Sequence, residues 1–399
     1  MKNFVFLSPN FPTNYWMFCR ELKNNGLRVL GIGDCPYPEL DPRLTAVLDE
    51  YYKVDSLEDY EAVYRAIGFF IHKYGRIDWL ETNNEYWLER DAALRTDFNI
   101  TSGFQNDVIH GVKYKSAMKE FYKAAGIPVA RYHLVESCES ALNFTKEVGY
   151  PVVVKPDNGV GASTTFKLKS DEDVVRFCNE YLPTGTVFIM EEFVRGYVVT
   201  YDAIIDSKGD PIFENGNVSP TSIMDMVNNG DDCIFYMRSD LPEDLRDAGR
   251  RTVKSFGVKS RFVHFEFFLL TEDMPSIGPK GTVAGLEVNM RPSGGCSPDM
   301  MNFANHTDVY KIWADMIAFD HSTLGDSGWH QYCAYCGRRD YKNYVLSDDD
   351  VRAKYGDRIQ MMERVADVLS DDMGNRMIIC NFDSEAEVFA YYEDLMKCW

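Results

Sequence analysis

The chain has no G-x-G-x-x-G stretch after its first apolar runs, which argues against a dinucleotide site. It has no uninterrupted apolar run near the ~20 residues that span a bilayer, so no membrane helix is expected. MKNFVFLSPNF at the N-terminus lacks the long apolar region and small-residue cleavage site of a secretory signal. Basic excess is absent too: 42 Lys and Arg stand against 62 Asp and Glu, a formal charge of −20. Such a surface repels phosphate backbones, and nucleic acid is not an expected partner. Among ten cysteines only Cys333 and Cys336 are closely spaced, and no second pair or matching histidine pair accompanies them. A structural zinc site is therefore not expected, and reduced thiols in a cytoplasmic protein are. Internal repeats and low-complexity segments are also missing.

What is present is 399 residues, 45% hydrophobic and 26% charged, enough for two or three domains. Phe4 to Leu7, an amphipathic segment from Tyr15 to Asn25, and Leu27 to Ile32 have a β-α-β rhythm. A helix over 57–74, a strand over Ile77 to Leu80 and a helix from Glu85 to Leu94 extend it. This predicts a Rossmann-like domain over 1–110. A second block alternates helix and strand: helix Lys115 to Ala125, strands near 131–135, 151–155, 164–168 and 187–191, and helices at 139–148 and 171–182. From Val198 the pattern turns strand-rich, with apolar runs at 198–205, 263–270 and 283–288 and one helix near 242–256. Helix returns over Tyr310 to Ile317. The tail holds strand-like Met377 to Asn381 and a helix from Glu385.

Three constellations carry chemistry. In YPVVVKPDNGVGAST, 150–164, a β-branched strand delivers Lys155 to its end, and Gly159, Gly161, Ala162 and Ser163 follow. Glycines let backbone N–H groups approach phosphate, and the lysine supplies a point charge. The lysine precedes the glycines, so the loop is not of Walker A type; an ordinary strand and loop is the competing reading. In HFEFFLL and GLEVNMRPSGG, Glu266 and Glu287 sit within apolar strands. A buried carboxylate needs a cation or a metal. Glu287, Asn289 and Arg291 project from one strand face. Two carboxylates and an amide suit Mg²⁺, which takes few protein ligands. Structural salt bridges are the alternative. In EEFVRG, 191–196, a polar group followed by an apolar edge suits an adenine ring, or is simply a strand end.

Taken in order, a lysine, a second lysine before a glycine-rich loop, E-x-x-V, and Glu…Glu-x-Asn-x-Arg, the motifs over about 111–310 resemble the ATP-grasp superfamily. The resemblance is to its carboxylate–amine ligases and to the ATP-binding folds of carbamoyl-phosphate synthase, biotin carboxylase and D-alanine ligase. It implies an α/β and α+β chain, with a Rossmann-like pre-ATP-grasp domain before a two-lobed ATP-grasp fold. The expected divisions are a small lobe over 111–195, a large lobe with the metal site over 196–320, and a C-terminal extension over 321–399 packing on the large lobe. ATP and Mg²⁺ are implied, with Mn²⁺ as a substitute ion. Lys115 resembles the first ATP lysine, with Lys113 as a competitor, and Lys155 the lysine at the nucleotide phosphates. Loop 158–164 resembles the flap over them. Glu191, Glu192 and Val194 resemble the adenine-side hinge. Glu266, Glu287 and Asn289 resemble metal ligands, and Arg291 the arginine that steadies an acyl phosphate. The pattern departs at Val198, where relatives often carry a ribose-binding Glu. No biotin-acceptor A-M-K-M segment is present.

The implied activity is amide or peptide bond formation through an acyl phosphate, on small carboxylates and amines such as amino acids. Phosphotransfer that stops at a phosphorylated product, and nucleotide binding without turnover, are the alternatives. Substrate candidates are Glu85, Arg90 and Arg95 in a polar stretch after a strand, Arg238, and Asp299, Asn302 and His306 after the metal strand. Each competes with a solvated or helix-capping role. His264, among aromatics, reads as a core histidine. Arg338, Arg339 and Lys342 form a basic cluster that suits a surface loop or an anionic ligand. A homodimer is compatible with the sequence.

Overall fold

The computed structural model describes residues 1–159, 164–221 and 230–399. β1 (Asn3–Leu7), β2 (Arg28–Gly33), β3 (Glu50–Lys53) and β4 (Trp79–Glu81) form a parallel sheet in the order β3-β2-β1-β4. Every β1 residue is buried, as a parallel strand covered on both faces requires. One of those faces is closed by the distant helix Val309–Phe319, whose Trp313 packs edge-on against Phe4 and Phe18. The first domain is thereby fixed to the rest of the chain by aromatic packing. A buried ionic cluster adds a second tie: Glu81 pairs with Arg95 at 3.0 Å and with Arg261. Burial pushes Asp91, beside Arg95, well above the usual carboxylate range.

The second sheet is antiparallel, β5 (Tyr132–Leu134), β8 (Phe188–Glu192), β6 (Val152–Pro156) and β7 (Phe166–Leu168), in that order. Helices Cys138–Val148 and Asp171–Tyr181 supply Phe144 and Phe177 to a core with Val152, Val154 and Met190.

The third sheet has nine strands among the described residues. Its order is β14 (Val283–Asn289), β13 (Arg261–Leu270), β9 (Gly196–Ile205), β11 (Asn217–Ser219), β12 (Cys233–Met237), β15 (Tyr332–Arg338), β17 (Arg376–Phe382) and β16 (Ile359–Arg364), with β10 (Pro211–Asn215) also on β9. The stretch expected to pack on the large lobe as an extension instead enters its sheet. β15 pairs with β12 over five residues, because Cys233–Met237 is an apolar strand whose second edge needs a partner. Two close backbone approaches shape this lobe. Tyr201 lies over Gly249 of helix Glu243–Ser255, and Tyr122 lies over Gly285 of β14. A Cβ at either glycine would sit 2.2 Å or 2.6 Å from the ring.

Helix Lys115–Ala124 joins the lobes. Its 3.6-residue period puts Lys115, Lys119 and Tyr122 on one face, and all three are buried. The aromatic end packs on the large sheet. The lysine end faces the gap between the two sheets.

Candidate functional site

That gap is a cleft of about 430 Å³ between the antiparallel sheet and the edge of the large one. Alternation along β6 places Val153 and Lys155 on the face that also carries Glu191 of β8, Val153 being Glu191's cross-strand partner. Lys155 Nζ lies 2.8 Å from Glu191 Oε2, and Lys119 Nζ lies 2.6 Å from Glu191 Oε1. The second contact is an ion pair without hydrogen-bond alignment, so Oε1 is a buried acceptor with no donor among the described groups. Burial depresses the Lys119 ammonium despite Glu191. At Lys155 burial acts the same way, but Glu191 and Glu287 outweigh it and the pKa is raised. Lys115 Nζ donates to Gly159 O at 2.8 Å and lies 3.1 Å from Glu287 Oε1. Lys113 is turned away into an ion pair with Glu85 at 2.9 Å, which leaves Lys115 as the lysine of the cleft.

Across the cleft, Glu266 of β13 and Glu287 of β14 are directly opposed, and a register shift follows Glu266. His264 Nε2 lies 3.2 Å from Glu266 Oε1, and its Nδ1 lies 2.7 Å from Asp202 Oδ1. Burial works against the imidazolium, but Asp202 and Glu266 together raise the His264 pKa to about 9. It is a partnered buried histidine on the cleft wall. Arg291 donates to Asn289 Oδ1 at 3.2 Å, and its Nε lies 3.4 Å from Glu85 Oε2. Ala130, Val153, Val194, Val198, Phe268 and Leu286 give the cleft an apolar side suited to a flat ring.

The structure thus brings Lys115, Lys155, Glu191, Glu192, Val194, Glu266, Glu287, Asn289, Arg291 and Glu85 to one cleft. Gly159 is placed by its carbonyl at Lys115, whereas Gly161, Ala162 and Ser163 lie outside the described residues. Glu192 borders the cleft, but its side chain is held by Arg131 at 2.8 Å and Ser276 at 2.9 Å, so it ties β8 to its neighbours. The other six substrate candidates fall elsewhere. Arg90 donates to the carbonyls of Leu57 and Glu58, and Arg95 is buried in the interdomain ionic cluster. Arg238 pairs loosely with Asp240 and Glu385, and Asn302 accepts from the Val309 amide before the next helix. Asp299 lines a neighbouring cavity, described below, and His306 stacks on Trp329. Of the basic cluster, Arg338 and Arg339 are buried on backbone carbonyls and Lys342 pairs with Asp232. Lys119 and Asp202 were not legible as site residues. A Lys four after Lys115 carried the only signal, and it reads equally as a solvated helix position.

The donor set fits a hard divalent cation by its chemistry: two opposed carboxylates and one amide oxygen, with lysines and Arg291 on the other side to meet phosphate. Among the described residues no group of three or more His, Cys, Asp and Glu is placed to hold a metal ion by itself.

Residues 113–214 match the family described as phosphoribosylglycinamide synthetase, ATP-grasp (A) domain. A stretch of 124 residues is 34% identical to D-alanine--D-alanine ligase B of Clostridium perfringens, covering 31% of this chain and 36% of that protein. The chain spans about a third of the length of the curated relatives it matches. In three dimensions it is similar over 98% of its length to 96% of the L-amino acid ligase from Bacillus licheniformis, with TM-score 0.73 and 14% identity. The biotin carboxylase domain of the Hydrogenobacter thermophilus 2-oxoglutarate carboxylase, solved with MgADP and bicarbonate, has TM-score 0.71 and 16% identity. That match covers 99% of this chain and 89% of that one. The fold is a two-lobed one behind a Rossmann-like domain. The family match over residues 113–214 is to an ATP-grasp domain, and the whole chain has the fold of the two solved structures.

Proposed function

We propose that the protein is an ATP-dependent carboxylate–amine ligase, joining a small carboxylate and an amine through an acyl phosphate. One arrangement carries this reading. The opposed carboxylates Glu266 and Glu287, with Asn289 and Arg291, share a 430 Å³ cleft with Lys115 and Lys155, and Lys119 stands behind Glu191. An adenine ring would lie along Val153, Val194 and Leu286, with the Glu191 carboxylate able to accept from its amino group. Lys155 and Lys115 would hold the phosphate chain between the lobes. Mg²⁺, held by Glu266, Glu287 and Asn289, would neutralise phosphate charge when bound. Arg291, steadied by Asn289 and Glu85, would orient the substrate carboxylate and offset charge on the equatorial phosphate oxygens. A carboxylate oxygen attacks the γ-phosphorus and ADP leaves. The amine nitrogen then attacks the acyl carbon, inorganic phosphate departs, and the nitrogen loses a proton. Val198 puts no carboxylate at the ribose position, so ribose hydroxyls would meet water or other groups.

The test is incubation with ATP, Mg²⁺ and pools of amino acids, with ADP and product masses followed together. Phosphate release that requires both an acid and an amine, with a new amide mass, supports the ligase. A phosphorylated product in its place would make the protein a phosphotransferase. Nucleotide binding without turnover across a broad panel would make it a sensor.

A further inference from the structure

We propose that a second cavity beside the cleft binds the amine substrate, and that this amine is an amino acid with an apolar side chain. The inference rests on the ligase reading above and names its acceptor. The cavity has a volume of about 220 Å³ and lies between the first domain and β16–β17. It adjoins the cleft at two points. Gly294 lines the cleft while Gly295 lines the cavity, and Asp372 and Met373 divide in the same way. Consecutive Cα atoms are ~3.8 Å apart, so the two spaces are separated by one residue at each point.

The walls are Trp16 with Met17, Met361, Met373 and Met377. Unbranched, polarisable thioethers adapt to apolar groups of different shape, and a volume of this order suits one such side chain. The polar end is acidic. Asp299 is buried and meets no cation among the described residues; its oxygens accept from Asn14 Nδ2 at 2.9 Å and Tyr310 Oη at 3.0 Å. Each oxygen keeps a further lone pair. Asn14 Oδ1 is buried with no donor, so the residue that holds Asp299 also carries an unmet acceptor. Asn14 also donates to Gly295 O at 3.2 Å, which puts this polar end at the residue next to the cleft. The two arginines on the cavity are already neutralised, Arg43 by Asp41 at 2.6 Å and Arg364 by Asp340 at 2.7 Å. The charge left over is negative. It attracts an ammonium and repels a carboxylate, which sorts the amine to this cavity and the acid to the Arg291 side.

The experiment measures equilibrium binding of L-methionine, L-leucine and L-aspartate to the full chain, with Mg²⁺ and a non-hydrolysable ATP analogue present. The expected result is saturable binding of the first two only. Asp299→Asn and Met361→Trp should each weaken it roughly tenfold or more, the analogue's own affinity staying that of the wild type and reporting an intact fold. Failure of L-methionine and L-leucine to bind, or equal binding by both variants, overturns the proposal. The ligase reading fails separately. Variant-sensitive binding without ADP or amide under any acid would sink that reading and leave the cavity assignment standing. Amide formation confined to charged amines would do the reverse.

Discussion

Lys155 Nζ lies 2.8 Å from the Glu191 carboxylate, and the second oxygen of that carboxylate is met by Lys119, so one acid neutralises two buried ammonium groups. Burial alone would raise the Glu191 pKa, but Lys119 and Lys155 outweigh it and hold the carboxyl at about 2, against an ordinary 4.5. The proton therefore binds the unfolded chain more readily than the folded one. The stability supplied by ionised Glu191 is full above pH 4.5 and is lost as pH falls towards about 2. Urea midpoints of wild type and Glu191→Gln should differ most near neutrality and converge through that window. A gap independent of pH would contradict the ion-pair account.

Glu287→Gln keeps the shape of the side chain but removes the charge opposite Glu266 and beside Lys115. ADP release should fall by on the order of 10²–10³, the usual cost of losing one group aimed at developing charge. The melting temperature should change little, because the Glu287 side chain is not fully buried. Full turnover in the variant would remove Glu287 from the metal set.

Glu81 is the single acid between Arg95 and Arg261 for which a depressed carboxyl is expected, since both guanidinium groups oppose its burial. Glu81→Gln leaves two buried cations facing each other across the domain junction. A loss of roughly 3–5 kcal/mol in denaturant unfolding is expected. A loss below about 1 kcal/mol would mean that the junction rests on the Trp313 aromatic packing alone.

Two glycines in helices should respond to alanine with opposite signs. At Gly249 the new Cβ would lie 2.2 Å from the buried Tyr201 ring, and Gly249→Ala should cost about 1–3 kcal/mol. At Gly68, in helix Tyr60–Tyr74, nothing lies within 4 Å, and Gly68→Ala should stabilise by about 0.5–1 kcal/mol. Thermal unfolding of the pair checks both, and a shift of the same sign in each would refute the packing argument.

Elements with continuous apolar runs were legible from sequence: Phe4–Leu7, Val152–Val154 and the long strand ending at Leu270 appear within two residues of their expected bounds. β16 was not, because IQMMER is half exposed and follows no alternation, nor was β15, where YCAYCGR mixes small, polar and aromatic residues. The helix Ser297–Asn305 was missed because Pro298 and polar residues mark it as loop, although proline is at home in a first helical turn. For the site, residue type and spacing placed Lys155, Glu266, Glu287, Asn289 and Arg291, whose chemistry is local to two strands. Partnerships that depend on register across the sheet were hidden. Asp202 reaches His264 only because β9 and β13 pair in one alignment, and Arg261 meets Glu81 over a separation of 180 residues. Arg90 and Arg95 show the converse error, since a polar run after a strand says nothing of which way its charges turn.

The large sheet is threaded out of chain order, with β12 waiting for β15 and β17 lying inside β16. During synthesis on the ribosome, Cys233–Met237 has no outer neighbour until Tyr332 has emerged, and β15 none until Arg376. A nascent or truncated chain that stops in this interval exposes an open apolar edge, of the kind to which chaperones bind and on which stray chains add as further strands.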